Sequence, residues 1–253
     1  MDKGLLEMKI ELENITVDLF EHDISHIKNV AVKCSTGTDS TILLYLTALA
    51  LPDKKIIPYC IIESQFPNQK NKLLQIVDKI IFKLPNRNIA SPILDYADYN
   101  SYDSRWRKEA IENPGIFPKK KRGNEGQAKI LANKFYQTKR YKNGEIDYFV
   151  SGITSNPPIE VLKDIGCEYE DGRSLIKKPQ ISYLYYDPFI HLNKKHIAEM
   201  WKKYDMMDIF HLTESCVNCS LYGDYYSTEI PCKKCYFCSE KYWAFGMYDG
   251  GIK

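Results

Sequence analysis

No run in this chain approaches the roughly 18 uncharged apolar residues that a membrane helix requires. The first residues, MDKGLLEMKIELENIT, carry a charge every few positions where a signal peptide would have an apolar core. Neither a membrane span nor a secretory leader is expected, and the expected location is the cytoplasm. Charge of one sign is missing too: 35 basic side chains face 33 acidic ones, for a formal net charge of +2. A whole-surface field that captures nucleic acid is thereby excluded, which leaves only local patches. The densest of these, KKKR at Lys119 to Arg122, reads first as a solvated loop. Repeats and low-complexity linkers are absent. So are two nucleotide fingerprints: neither the GxxxxGK[ST] loop of kinases and ATPases nor the GxGxxG dinucleotide turn occurs anywhere.

What is present fits a globular α/β protein. With 253 residues, 44% of them apolar, the chain can bury one large core or two small ones. NVAVKC (29–34) is a short β-type run, and Thr41 to Leu51 is apolar nearly all round, which suits a helix packed deep against a sheet. Pro52 stops that helix. KKIIPYCIIE (54–63) is a buried strand rich in branched residues, and in KNKLLQIVDKIIF the residues Leu73, Ile76, Val77, Ile80 and Ile81 recur at helical spacing. SPILDY (91–96) reads as a strand, DSRWRKEAIEN (103–113) as a short helix and PGIFPKKKRGNE (114–125) as a loop. A helix over Gln127 to Arg140, a hairpin-like KNGE, a strand IDYFVSG ending in Gly152 and an extended ISYLYYDPFIHL follow. NKKHIAEMWKKY is a helix capped by Asn193, with Ile197, Met200, Trp201 and Tyr204 on one face. Alternation of this kind predicts a doubly wound, mostly parallel α/β sheet with ligands beyond the carboxyl ends of its strands. A cysteine-rich tail makes a small appended unit, so the expected division is 1–211 and 212–253.

The stretch CSTGTDST (34–41) sits where such a sheet places its ligands, after the first strong strand and before the first apolar helix. A helix N-terminus offers unpaired N–H groups and the positive end of the peptide dipoles, which suit an anion. Gly37 is expected to let the backbone come close and to take a positive φ. Ser35, Thr36, Thr38, Ser40 and Thr41 add hydroxyls, and Asp39 can orient the loop or hold a metal ion. The same composition also describes a plain helix cap, and composition does not separate the two.

Cys34, Cys60 and Cys167 are scattered, but Cys216, Cys219, Cys232, Cys235 and Cys238 fall within 23 residues. Clustered CxxC pairs without a leader point to metal or redox chemistry rather than a disulfide framework. Five thiols exceed the four a zinc ion takes. Cys216, Cys219, Cys232 and Cys235 would make a ribbon of two pairs; alternatively Cys216 or Cys219 joins the triple Cys232, Cys235 and Cys238. Such a triple also occurs in iron–sulfur sites.

Ser35-Thr36-Gly37-Thr38-Asp39-Ser40 resembles SGGxDS, the pyrophosphate loop of the PP-loop ATP pyrophosphatases, with Thr36 at the first glycine. The tail makes the likeness more specific. Thr213-Glu214-Ser215-Cys216 followed by Cys232, Cys235 and Cys238 is similar to the T-x-S-C and CxxCxxC zinc pattern of the 7-cyano-7-deazaguanine synthase family. PFIHLNKKHI is similar to that family's P-[FL]-x-x-L-[ST]-K-x-x-I segment, with Pro188, Leu192, Lys194 and Ile197 in register, and Arg122 with Asn124 loosely resembles its P-x-R-N loop. The resemblance touches most of the chain from residue 28 to 246. It implies ATP bound by Ser35 to Thr41 and Gly152, Mg²⁺ on the phosphates, and a structural Zn²⁺ on Cys216, Cys232, Cys235 and Cys238 with Cys219 spare. It further implies catalytic roles for Asp39, Ser40 and Arg122, a deazapurine-like carboxylate and ammonia as substrates, and a homodimer. Two segments depart from the family, IESQFPNQ (62–69) and ITSNPPIEVLKDIG (153–166), and both belong to the substrate-facing parts. A changed substrate is therefore expected to show there. His191 and His196 have no partner in the sequence pattern and read as structural or surface residues.

Three functions compete on this reading. The first is a ligase that adenylates a carboxylate and converts it with ammonia to an amide or nitrile. The second is another adenylating enzyme, either a nucleic-acid base modifier, for which Cys216 and Cys219 would be the reactive pair, or a sulfonucleotide reductase. The third is a zinc-ribbon module that binds nucleic acid and no longer turns over ATP.

Overall fold

The computed structural model describes residues 8–63, 66, 68–97, 124–164, 172–216 and 230–253. The chain opens with a hairpin, β1 (Met8–Glu11) paired antiparallel with β2 (Thr16–Leu19). It buries Ile10, Val17 and Leu19 in the main core, as the alternation of KIELENITVDL allows. A six-stranded sheet follows, in the spatial order β5-β4-β3-β6-β8-β7. Its strands are β3 (Asn29–Lys33), β4 (Lys55–Glu63), β5 (Ile93–Ala97), β6 (Tyr148–Ser151), β7 (Gln180–Ile181) and β8 (Tyr185–Asp187). All neighbours are parallel except the edge strand β7, which runs antiparallel to β8.

Successive side chains on the central strands point to opposite faces, and each face has its own core. Val30, Val32, Ile56, Cys60, Ile62 and Val150 face helices α1 (Thr38–Ala50), α2 (Gln69–Lys83) and α5 (Lys194–Lys203). Ala31, Ile57, Tyr59, Ile61 and Phe149 face α3 (Asn124–Lys142) through Ala132, Phe135 and Tyr136. The sheet is thus doubly wound and mostly parallel. A short α4 (Ile159–Asp164) follows β6, and α6 (Tyr236–Phe245) closes the cysteine-rich tail. That tail is anchored by Phe245, whose ring meets Trp201 at 6.2 Å and Phe210 at 4.9 Å.

Several expectations shift. Helix α1 begins at Thr38, three residues before the apolar run, because Thr, Asp and Ser are at ease in a first turn where N–H groups need no intrahelical partner. Ile81 is exposed, whereas Leu73, Ile76, Val77 and Ile80 of the expected apolar face are buried. Asn124 and Glu125 belong to α3 rather than to the loop before it, and KNGE is a helix-to-strand turn with Gly144 at φ +69° instead of a hairpin. The run from Ile181 to Leu192 is two short strands and a turn. Asn193 caps α5 as expected, its side chain accepting from the Lys195 N–H at 3.0 Å. His196 completes the cap, its Nδ1 accepting from the Asn193 N–H at 3.1 Å, so this histidine does have a partner. The helix expected over 103–113 and the KKKR run lie outside the described residues.

Candidate functional site

The chain runs from β3 through α1 to β4 on one side, and β6 lies on the other side of β3. The loops leaving β3 and β6 therefore diverge, and this reversal of strand order is where open α/β sheets form a crevice. Two adjoining cavities open here, of about 250 and 310 Å³, sharing walls at Ser35, Gly37, Asp39, Glu63 and Gly152. Both also reach Ile153, and the first continues to Thr154 and Ser155, then to Glu214, Ser215 and Cys216 of the tail, and to Tyr236 and Glu240 of α6. The second has a more apolar wall that includes Cys34, Tyr59, Cys60 and Ile61.

The loop itself is Ser35 to Gly37. The Ser35 N–H donates to Ser40 Oγ at 3.2 Å, and the Ser40 and Thr41 hydroxyls donate to the Gly37 carbonyl at 3.1 and 2.9 Å. These hydroxyls are spent on the loop's shape. No side chain caps α1, and its N-cap residue, Gly37, has none to offer. Of the two readings left open by composition, the plain side-chain cap is the one the geometry does not contain. What remains is an uncapped helix N-terminus facing a cavity, the arrangement that binds anions.

Gly37 does not take the expected positive φ; it is extended, at φ −75° and ψ 162°. The left-handed residue is Thr36, at φ +65°. Its carbonyl accepts from the Glu214 N–H at 2.9 Å and its hydroxyl donates to the Ser35 carbonyl at 2.5 Å. A β-branched residue in this region is strained by roughly 1–2 kcal/mol. Thr36→Gly is therefore expected to stabilise the chain by about 1 kcal/mol net of the glycine's extra unfolded-state entropy, a rise in thermal midpoint of about 2–4 °C. Differential scanning calorimetry checks this. The glycine that the backbone needs for space is Gly152: a Cβ there would stand 3.0 Å from the Asp39 carbonyl carbon and 3.1 Å from the Ser40 nitrogen. Gly152 thus lets β6 press against the first turn of α1.

Asp39 does not stand alone. Its Oδ2 accepts from Lys194 Nζ at 2.5 Å, and the same ammonium lies 3.5 Å from Glu240. Lys194 opens α5 and Glu240 lies on α6, so one buried cation joins three helices. Burial alone would lower the Lys194 pKa, but Asp39 and Glu240 outweigh it and the net shift is upward. Burial raises the pKa of Glu240, and Lys194 only partly offsets this. Sequence reasoning placed Lys194 in a matching segment without a role and missed Glu240; a lone Glu in CSEKYW gave no signal. Arg173, from the short helical turn 172–175, also lines the first cavity, whereas Arg122 lies outside the described residues. Burial pushes the Cys34 thiol up to about 12, which makes it a packed side chain rather than a nucleophile.

The sulfurs of Cys216, Cys232, Cys235 and Cys238 all lie within 4.8 Å of one another. Four thiolates about 2.3 Å from one tetrahedral ion stand roughly 3.8 Å apart, so a set within 4.8 Å needs only a small contraction to hold a single four-coordinate ion, whereas a multi-iron cluster holds its thiolates wider. The Cys232 N–H donates to Cys216 Sγ at 3.2 Å and the Cys235 N–H to Cys232 Sγ at 3.3 Å, hydrogen bonds that suit thiolates. Cys219 lies outside the described residues. The turn carrying Cys216 is fixed by Asp249, whose Oδ2 accepts from the Ser215 and Cys216 N–H groups at 2.8 and 2.7 Å. Its Oδ1 takes the ammonium of Lys241, which also donates to Thr213 Oγ1 at 2.8 Å.

No protein-family model matches the chain, and no curated protein matches it in sequence. Among solved structures it is similar to the U34-tRNA thiolase NcsA from Methanococcus maripaludis with its [4Fe-4S] cluster, at 13% identity and a TM-score of 0.41. That alignment covers 87% of this chain and 64% of the thiolase. It is also similar to NMN synthetase from Francisella tularensis, at 10% identity and a TM-score of 0.44, over 86% of this chain and 77% of the synthetase. Among the described residues no helix is long and apolar enough to cross a membrane.

Proposed function

We propose that the chain is an ATP-dependent ligase of the PP-loop type that activates a carboxylate on a deazapurine-like base. A carboxylate oxygen attacks the α-phosphorus of ATP, pyrophosphate leaves, and ammonia displaces AMP from the acyl adenylate to give an amide. A second adenylation, now on the amide oxygen, would lose AMP to leave a nitrile. The observation that carries this reading is the uncapped N-terminus of α1, which opens at the strand ends into two adjoining cavities.

The chain's own contribution is positioning and charge. Backbone N–H groups from Ser35 to Ser40 would receive the phosphate oxygens. Lys194 would lend its charge to the leaving pyrophosphate while Asp39 orients the loop. Mg²⁺ arriving with ATP would spread the charge of its phosphates. Ile153 to Ser155, on the cavity wall, would select the base, and a structural zinc on the four cysteines would hold the far wall. The test is a product screen: protein, ATP, Mg²⁺, ammonium and 7-carboxy-7-deazaguanine are expected to yield AMP, pyrophosphate and an amide or nitrile by mass spectrometry. Absence of all three across a panel of carboxylated deazapurines would sink the ligase assignment, and AMP formation with an RNA substrate alone would move it to base modification.

A further inference from the structure

The four-cysteine site and the anion loop are joined by two struts of different kinds. The first is backbone. Cys216 is two residues beyond Glu214, whose N–H holds the carbonyl of the left-handed Thr36 at 2.9 Å. Thr36 is strained there, so the loop keeps this shape only while something over-determines it. The second is ionic. Helix α6 has Cys235 as its N-cap residue, carries Cys238 in its first turn and presents Glu240 to Lys194 at 3.5 Å, and Lys194 holds Asp39. Each strut begins within two residues of a thiol and ends on a residue of the loop.

We propose that Glu214 and Glu240 are positioning residues that transmit occupancy of the cysteine site to the anion loop, so that the metal ion and the nucleotide bind cooperatively. A bound ion fixes the spacing of Cys216 against Cys235 and Cys238, and therefore the relative placement of the two struts. Without it, the turn at Thr213 to Cys216 is tied to α6 only through Lys241, which bonds Thr213 and Asp249, so the Glu214 N–H that holds Thr36 and the Glu240 carboxylate that shares Lys194 with Asp39 are less firmly placed. Cooperativity between binding sites is reciprocal, so the nucleotide must hold the metal as firmly as the metal helps the nucleotide. The inference rests on the ATP and zinc assignments above.

The experiment uses the zinc-loaded protein and follows transfer of zinc to a colorimetric chelator, with and without Mg²⁺-ATP, while calorimetry records ATP binding separately. ATP is expected to slow zinc release by at least about fivefold, the lower end of ordinary coupling. Glu240→Gln, which keeps the shape and removes the charge, is expected to bring that factor towards one while zinc content and thermal midpoint stay near wild type; Glu240→Asp is expected to restore part of it. A merely structural Glu240 would alter the midpoint and leave the ATP-dependence of release untouched. ATP binding with an unchanged release rate overturns the coupling and spares the function. No ATP binding to the zinc-loaded protein overturns the function and the coupling with it.

Discussion

Asp39→Ala is expected to lower AMP release by at least about a hundredfold while leaving the chain folded, the size of effect seen when one preorganised polar group is removed from a transition-state site. The carboxylate is the only acidic group in the first turn of α1, and it stands on the wall shared by both cavities. Its loss changes the charge at the anion loop directly and frees Lys194 from its shorter contact. Stability responds much less. Breaking a buried ion pair costs about 3–5 kcal/mol when the remaining charge has no partner. Here Glu240 stays at 3.5 Å from the ammonium, so Lys194 is not orphaned. The lost interaction of Asp39 with the helix dipole adds about 0.3–1 kcal/mol. The thermal midpoint should therefore fall by only a few degrees for a chain of this size, at about 2–4 °C per kcal/mol. Chromatographic assay of AMP beside a melting curve separates the two effects, and undiminished AMP release in a folded variant would remove the loop from the mechanism.

The parts of this site that were legible in the sequence are those built from neighbours. The strand 29–33, the small polar residues after it and the apolar helix that follows occupy one continuous stretch, so their order placed a loop beyond the carboxyl end of a parallel strand, without choosing between a helix cap and an anion site. The CxxCxxC triple was legible because thiols at this density have few other uses, whereas spacing left Cys216 and Cys219 open as its fourth member and only the resemblance of Thr213 to Cys216 to a T-x-S-C pattern chose between them. What stayed hidden depends on long-range assembly. Lys194 and Asp39 are 155 positions apart, and nothing in either segment announces a buried pair. The strain at Thr36 was hidden for a related reason. A threonine where a glycine is usual could mark a relaxed loop or a strained one, and only the distant Glu214 N–H on its carbonyl decides which. The positive φ was assigned to Gly37 because glycine is its usual bearer. It falls one residue earlier, where the loop must turn to meet the tail.

The tail's order is a question of magnitudes, and these predict the effect of metal loss. Burying Phe245 against Trp201 and Phe210 contributes about 1.5–3 kcal/mol. Ordering the backbone costs about 1–2 kcal/mol per residue, so this anchor cannot by itself hold the irregular stretch from Ile230 to Cys235. A structural zinc contributes about 10–16 kcal/mol of apparent binding energy in small domains that depend on it. Cys232→Ser is therefore expected to weaken zinc binding by more than about a hundredfold, beyond the 10–100-fold typical of losing an outer-shell partner, because it removes a ligand outright. It also removes the sulfur that accepts the Cys235 N–H at the start of α6. Elemental analysis should find about one zinc per wild-type chain, almost none in Cys232→Ser after dialysis, and an unchanged content in Cys60→Ala, whose thiol lies on β4 outside the cluster. Limited proteolysis should then cut Cys232→Ser between residues 230 and 236 and spare the wild type. Full zinc occupancy in Cys232→Ser, or iron in place of zinc in the wild type, would show that these four sulfurs do not form a closed zinc site.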